Sequence, residues 1–288
     1  MKKAYLFPGQ GSQFVGMGKE LLELYSGTKD ILHTANEILG YDIADIMLHA
    51  EENVLQNTSY TQPAVYIHSI IHLLYYTQIL TQEERVPTAV AGHSLGEFAA
   101  FVAAGVYSFE DGLRLVQIRA NAMQKCCEKV KTGLVAITGI NEKAIKEHLY
   151  HYATNLYIAN YNSPSQVVIG GEITVLEKSI AVFQSMGAKL VTPLKVSGAF
   201  HTIYMQDAME ELAEAIYLTD FKEPLCPIYQ NYTSFAETNT DVLRTNLIQQ
   251  LVNPVRWYPI IQHMRLDSIT EFHEFGPGKV LTNLLKRI

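Results

Sequence analysis

The sequence predicts an α/β protein in two parts: a large domain on a parallel sheet, interrupted by a small antiparallel βαββαβ domain. Three observations carry this. Short apolar runs at 3–7 and 88–92 each give way to a Gly-containing turn and then to residues at helical spacing. From Lys131 the pattern becomes strand, helix, two strands, helix, strand, the order of the split-βαβ ferredoxin-like unit. After residue 198 the helix–strand alternation resumes. The expected domains are therefore a discontinuous large one, 1–130 and 198–288, and a ferredoxin-like insert, 131–197.

Taken in order, 3–7 reads as a buried strand stopped by Pro8-Gly9, followed by a helix from near Gln13 through 19–25. Segment 62–80 is a helix, because Tyr66, Ile67, Ile70, Ile71 and Leu74 recur at its period. Strand 88–92 feeds a helix at 95–104, and 109–128 is a helix with Ser108 placed to cap it. The insert reads as strand 134–139, helix 142–152, strands 156–162 and 166–170 around Ser163-Pro164-Ser165, helix 174–186 and strand 189–196. A helix at 205–217, a strand at 227–231 and further helices complete the chain.

Composition narrows the function. The 288 residues are 48% apolar and 18% charged, which is globular and not disordered. Net charge is −7 (22 Lys and Arg against 29 Asp and Glu), and a free nucleic-acid binder is more often basic. Three cysteines, two of them adjacent, make no disulfide framework and suit a reducing cytoplasm. No run reaches the ~18–20 apolar residues of a membrane span. The apolar run at the start breaks at Pro8-Gly9, too early for a secretory signal. A cytoplasmic protein without membrane or nucleic-acid partners is expected.

The sharpest local signal is Gly92-His93-Ser94-Leu95-Gly96, a G-x-S-x-G placed between a strand and a helix. A nucleophile on so tight a turn projects its Oγ off the sheet, and the residues two positions to either side must be small. The helix that follows aims N–H groups and its positive dipole end at the site. The turn thus suggests an α/β-hydrolase-like domain with Ser94 as nucleophile. The bland alternative is a Gly-flanked turn with an incidental serine. Ser94 needs a base. Among ten histidines, His201 directly follows the insert, at a domain junction where clefts are common. His68 and His72 stand four apart on an apolar helix without an evident third ligand and read as structural. Around Gly9-Gln10-Gly11, Phe14 occupies the position where a dinucleotide fingerprint needs its third glycine, so that reading fails.

Several segments then fall together: Phe7-Pro8-Gly9-Gln10-Gly11-Ser12-Gln13, Thr61-Gln62-Pro63-Ala64, Gly92-His93-Ser94-Leu95-Gly96-Glu97, Arg119, Asn162-Ser163-Pro164, Gly198-Ala199-Phe200-His201, Gln250 before Asn253-Pro254-Val255, and Gly276-Pro277-Gly278. In this order they resemble the malonyl-coenzyme A:acyl carrier protein transacylases, over nearly the whole chain. The resemblance implies Ser94 as nucleophile and His201 as base, with the histidine oriented through main chain at Gln250. It implies backbone N–H groups of Gln10 and Leu95 as oxyanion donors. Gln62, His93 and Asn162 would line the acyl site, and Arg119 would hold the free malonyl carboxylate. A planar guanidinium suits that task, since it grips a carboxylate through two parallel charged hydrogen bonds. Phe200, just before the histidine, goes with malonyl over methylmalonyl in related synthase domains.

The reaction implied is malonyl transfer from malonyl-coenzyme A to the phosphopantetheine thiol of an acyl carrier protein through a malonyl-serine. No permanently bound cofactor and no metal are expected. Gly198-Ala199-Phe200-His201 leans toward free-standing enzymes that serve a polyketide synthase in trans, with fatty-acid synthesis as the other pathway. Rival readings are an editing hydrolase of the same fold, which would have less use for Arg119, and a non-catalytic carrier-docking protein. An acidic carrier would need a local basic patch, for which Lys279, Lys286 and Arg287 are the candidates.

Overall fold

A computed structural model describes residues 2–152 and 155–288. Among the described residues, nine strands form two sheets. The larger contains β1 (Lys3–Phe7), β2 (Ala89–Gly92), β7 (Ile228–Tyr229), β8 (Ala236–Glu237) and β9 (Glu271–Glu274), in the order β8-β7-β2-β1-β9. Its first, second, seventh and ninth strands run parallel, and only β8 is antiparallel to its neighbour. Both faces are covered, so β1 and β2 read as continuous small or apolar runs with no alternation. The smaller sheet contains β3 (Thr132–Thr138), β4 (Leu156–Ser163), β5 (Gln166–Glu172) and β6 (Leu190–Pro193), in the order β4-β5-β3-β6, all pairs antiparallel. With the helices Glu142–Tyr152 and Ile173–Ser185 this is the expected βαββαβ unit.

The small sheet and its helices enclose their own apolar cluster, including Val135, Ile137, Ile145, Val167, Ile169 and Phe183. On this ground we propose domain boundaries near 131 and 198. The insert is tied to the large sheet's side of the molecule through β4. Tyr161 N–H donates to the Val255 carbonyl at 2.8 Å, and Val255 N–H donates to the Ala159 carbonyl at 2.9 Å.

Several sequence expectations needed correction. The helix expected from Gln13 begins only at Lys19, because Gly16 (φ 87°) and Gly18 (φ 93°) hold the chain in left-handed turns first. The helix expected at 62–80 is Thr58–Thr77, starting earlier with Asn57 as its cap. Pro63 lies inside it, and the Ser59 carbonyl that Pro63 cannot serve accepts instead from the Tyr41 hydroxyl at 3.3 Å. Segment 26–56, without an expectation, holds the helices Thr28–Leu39, Ile43–His49 and Glu52–Leu55. The tail is not all helical: Glu271–Glu274 is the sheet's edge strand, too short for its period to be read. The capping expected of Ser108 is present, with its side chain accepting from Asp111 N–H at 3.1 Å.

The parallel strands place their C-terminal ends together, where open α/β sheets bind ligands. Phe7 leads into Pro8-Gly9-Gln10, Gly92 into His93-Ser94, and Tyr229 into Gln230-Asn231. The turn after β2 is very tight. A Cβ on Gly92 would lie 1.9 Å from the Gly96 carbonyl carbon, and one on Gly96 would lie 2.0 Å from the Phe7 carbonyl oxygen. Gly92→Ala should therefore destabilise by at least the ~1–3 kcal/mol of ordinary overpacking. Gly40→Ala meets no atom within 4 Å and strains only a helix end at φ 78°, so it should cost about 1 kcal/mol. Urea unfolding midpoints of the two variants check this; a smaller loss for Gly92→Ala than for Gly40→Ala would contradict the steric account.

Candidate active site

Ser94 sits at φ 53°, a left-handed conformation costly for a non-glycine residue. The turn around it is closed by short-range bonds. Gly96, Glu97 and Phe98 N–H donate to the carbonyls of His93, Ser94 and Leu95 at 3.0–3.1 Å. Asn231, arriving from the end of β7, clamps both sides. Its Oδ1 accepts from Ser94 N–H and its Nδ2 donates to the Gly92 carbonyl, each at 2.6 Å.

Ser94 Oγ lies 2.7 Å from His201 Nε2, and His201 Nδ1 lies 2.8 Å from the Gln250 main-chain oxygen. A carbonyl oxygen only accepts, so Nδ1 carries the proton and Nε2 presents its lone pair to the Ser94 hydroxyl. His201 is also left-handed, at φ 61°, and is 4% exposed. Burial, reinforced by the charge of Arg119, pulls its imidazole down to about 3, so it is a neutral base at ordinary pH.

Arg119 projects from the helix Phe109–Lys129 into the interior and is 1% exposed. Its Nη1 donates to Gln62 Oε1 at 2.5 Å, and its Nη2 donates to Ser94 Oγ at 3.0 Å and Gln250 Oε1 at 3.2 Å. The Phe98 ring lies under the guanidinium, 5.5 Å from its carbon. Among the described residues the Nε–H has no partner. Burial pulls this group down to about 9 against the opposing pull of Glu97. Gln62, expected to line the acyl site, is instead fully buried behind Arg119 and outside the lining of the cavity beside Ser94, with Nε2 directed at the Met123 sulfur at 3.4 Å.

Ser94, His201, Arg119, His93, Asn162, Phe200 and Gln10 line one cavity of about 160 Å³. His93 Nε2 lies 3.0 Å from Asn162 Oδ1, and its ring packs beside Trp257. Burial pulls its imidazole below the ordinary value. Among the described residues, the backbone N–H groups of Gln10 and Leu95 have no protein acceptor, as oxyanion donors require. Val280, Leu281 and Leu284 of the helix Val280–Leu285 also line the cavity, and the helix is flanked by exposed Lys279, Lys286 and Arg287. His68 and His72 lie elsewhere, ring against ring on the helix Thr58–Thr77, and His72 Nδ1 accepts from Gly276 N–H. Among the described residues no cluster of three or more metal-ligating side chains occurs.

The sequence reading gave no role to Glu97, Gln230 or Asn231, nor to the Gln250 side chain. Glu97 is fully buried and accepts three hydrogen bonds, from Asn231 N–H, Gln250 Nε2 and Gln230 Nε2 at 2.9–3.1 Å. Burial pushes its carboxyl up to about 7, against those three donors and Arg119. The available signal was a carboxylate on an otherwise apolar helix three residues after the nucleophile.

Residues 4–287 match the family model described as acyl transferase domain. The chain is 39% identical over 290 residues to a Bacillus subtilis protein named polyketide biosynthesis malonyl CoA-acyl carrier protein transacylase PksC, covering 99% of this chain and 96% of that one. It is 38% identical over 286 residues to the polyketide biosynthesis protein ThaF of Burkholderia thailandensis, of whose length it spans only 24% while 99% of this chain is covered. Among solved structures, a type II PKS acyl-carrier protein in complex with its malonyl-transacylase contains a chain that superposes with a TM-score of 0.95, at 33% identity, covering 100% of this chain and 93% of that one. With the family model spanning nearly all of it, the chain belongs to the acyl transferase domain family.

Proposed function

We propose that this protein transfers the malonyl group of malonyl-coenzyme A to the phosphopantetheine thiol of an acyl carrier protein, in trans to a polyketide synthase. The observation that carries the reading is the buried Arg119 guanidinium, 3.0 Å from the nucleophile oxygen. A buried cation there favours an acyl group that keeps a negative charge through the cycle, and it is costly for a neutral chain. The polyketide assignment leans on the names of the two similar proteins above.

In this mechanism Ser94 Oγ attacks the thioester carbonyl while its proton passes to His201 Nε2. The Gln10 and Leu95 N–H groups receive the developing oxyanion. The carbon–sulfur bond breaks, the coenzyme A sulfur takes the proton from His201, and a malonyl ester remains on Ser94. The carrier thiol then loses its proton to His201 and attacks the ester, and Ser94 recovers the proton as it leaves. Arg119 spends the resting state bonded to Ser94 Oγ, Gln62 and Gln250. The malonyl carboxylate must take over some of these bonds, which places the acyl carbonyl beside the serine. Phe200 narrows the space around the carbon between the two carbonyls, so a methyl branch there should be disfavoured by ~1–3 kcal/mol. No permanently bound cofactor or metal has a part in these steps.

Lys279, Lys286 and Arg287, exposed beside the helix whose Val280, Leu281 and Leu284 line the cavity, are our candidates for meeting an acidic carrier. No helix among the described residues is long and apolar enough to cross a membrane. Together with three free thiols this supports a cytoplasmic setting.

Three outcomes test the proposal. Incubation with malonyl-coenzyme A alone should add one malonyl mass to the Ser94 peptide and none to Ser94→Ala; a label on the variant would overturn the nucleophile. Arg119→Ala should lower kcat/KM for malonyl-coenzyme A by about 10²-fold or more and raise the relative rate with acetyl-coenzyme A. A wild-type enzyme that already prefers acetyl would contradict the transferase reading. Because His201 is shifted downward, its neutral form should persist as pH falls. In isotope-labelled protein its ring signals, assigned with His201→Ala, should not titrate between pH 8 and about 5. A midpoint near the ordinary 6.5 would contradict the buried-base account.

A further inference from the structure

Glu97 stands at the centre of the site without touching the space where substrate binds. Three N–H donors converge on its two oxygens, and two of the donor residues, Asn231 and Gln250, each hold a different part of the machinery. Asn231 clamps the strained turn at Gly92 and Ser94. Gln250 Nε2 is shared between Glu97 Oε2 at 3.0 Å and the Ser94 carbonyl at 3.1 Å. The Gln250 Oε1 accepts from Arg119, and its main-chain oxygen accepts from His201 Nδ1–H. Gln230 Nε2 closes the other side and is itself fixed by the Leu243 carbonyl, while its Oε1 accepts from Asn246.

Two physical consequences follow. A group that faces only donors must be an acceptor on both oxygens, which a carboxylate provides and a protonated acid or an amide does not. One amide group separates that carboxylate from the Arg119 guanidinium, so Gln250 relays between a buried cation and its counter-charge. We propose that Glu97 is a positioning residue that works in its ionised form. Through Asn231 and Gln250 it holds the nucleophile turn and the Gln250 carbonyl that orients His201, and as counter-charge to Arg119 it moderates how strongly the site draws the malonyl carboxylate. The inference rests on the malonyl-transfer reading.

The test uses Glu97→Gln, which preserves shape but turns an N–H toward the donors and removes the charge. At pH 8, single-turnover acylation of Ser94 should slow at least tenfold. Direct binding is measured in the Ser94→Ala background. There Glu97→Gln should tighten malonyl-coenzyme A at least threefold and leave acetyl-coenzyme A within twofold, because Arg119 loses its internal partner. Glu97→Asp should restore the malonyl affinity and part of the rate. A residue of only structural use would weaken both ligands together, and that result overturns the proposal, as does an acylation rate within twofold of wild type. Should Glu97→Gln not fold, Gln250→Met removes the relay amide while leaving Ser94, His201, Arg119 and Glu97 in place. It should slow acylation at least tenfold, and a rate within twofold of wild type overturns the proposal. Failure of the underlying reading is seen separately, in a wild-type enzyme that acquires no malonyl on Ser94.

Discussion

Removing the Arg119 guanidinium from water is the constraint around which this site is assembled. Desolvating an ion costs several kcal/mol even after relaxation, so a buried cation persists only where the fold supplies oxygens and counter-charge. Here they come from four separate segments. Gln62 comes from the helix Thr58–Thr77, Ser94 from the turn after β2, Glu97 from the helix behind that turn, and Gln250 from the end of the helix Thr240–Gln249. Each of these residues is also in contact with another part of the site, so electrostatic compensation and catalytic geometry share the same bonds. The same charge helps hold His201 neutral, as the general base needs before attack.

The second constraint is steric. The serine turn leaves no room for a side chain at Gly92 or Gly96, and the loop at Pro8-Gly9 packs directly on it. Ser94 and His201 both sit in left-handed backbone conformations, which surrounding bonds must over-determine. Asn231 does this for Ser94. The neighbouring Thr202 hydroxyl, bonded to the Ala199 carbonyl at 2.6 Å, braces the loop that carries His201.

The large outlines of this arrangement were legible in the sequence because they are set by local rules. Glycines at two-residue spacing around Ser94, an apolar period in 62–80 and a change of pattern at Lys131 each have a short-range cause. The dyad and its orientation through Gln250 came from the ordered motifs as a resemblance; in the structure Ser94 Oγ lies 2.7 Å from His201 Nε2, and His201 Nδ1 lies 2.8 Å from the Gln250 main-chain oxygen. What local rules do not carry is pairing across the chain. Glu97 and Asn231 are 134 residues apart, and neither has a neighbour in sequence that reveals the bond. The edge strand Glu271–Glu274 is too short to show a period, and the helix start at Lys19 was obscured because apolar Phe14, Val15 and Met17 imitate a helical face.

Ser94 and His201 would serve water as readily as a thiol, so the dyad alone does not separate a transferase from a hydrolase. The account separates them by what happens to the acyl group once it is on the enzyme. In the proposed mechanism a malonyl carboxylate held by Arg119 keeps the ester in a pocket lined in part by Val280, Leu281 and Leu284 until a long phosphopantetheine arm enters it. The most direct test is to isolate the malonyl-enzyme, divide it between buffer and buffer containing a phosphopantetheinylated carrier protein, and follow the label by mass. The account predicts loss to the carrier thiol at least about 10²-fold faster than loss to water, in line with positioned nucleophile chemistry. Release of free malonate at a rate unaffected by the carrier would contradict it.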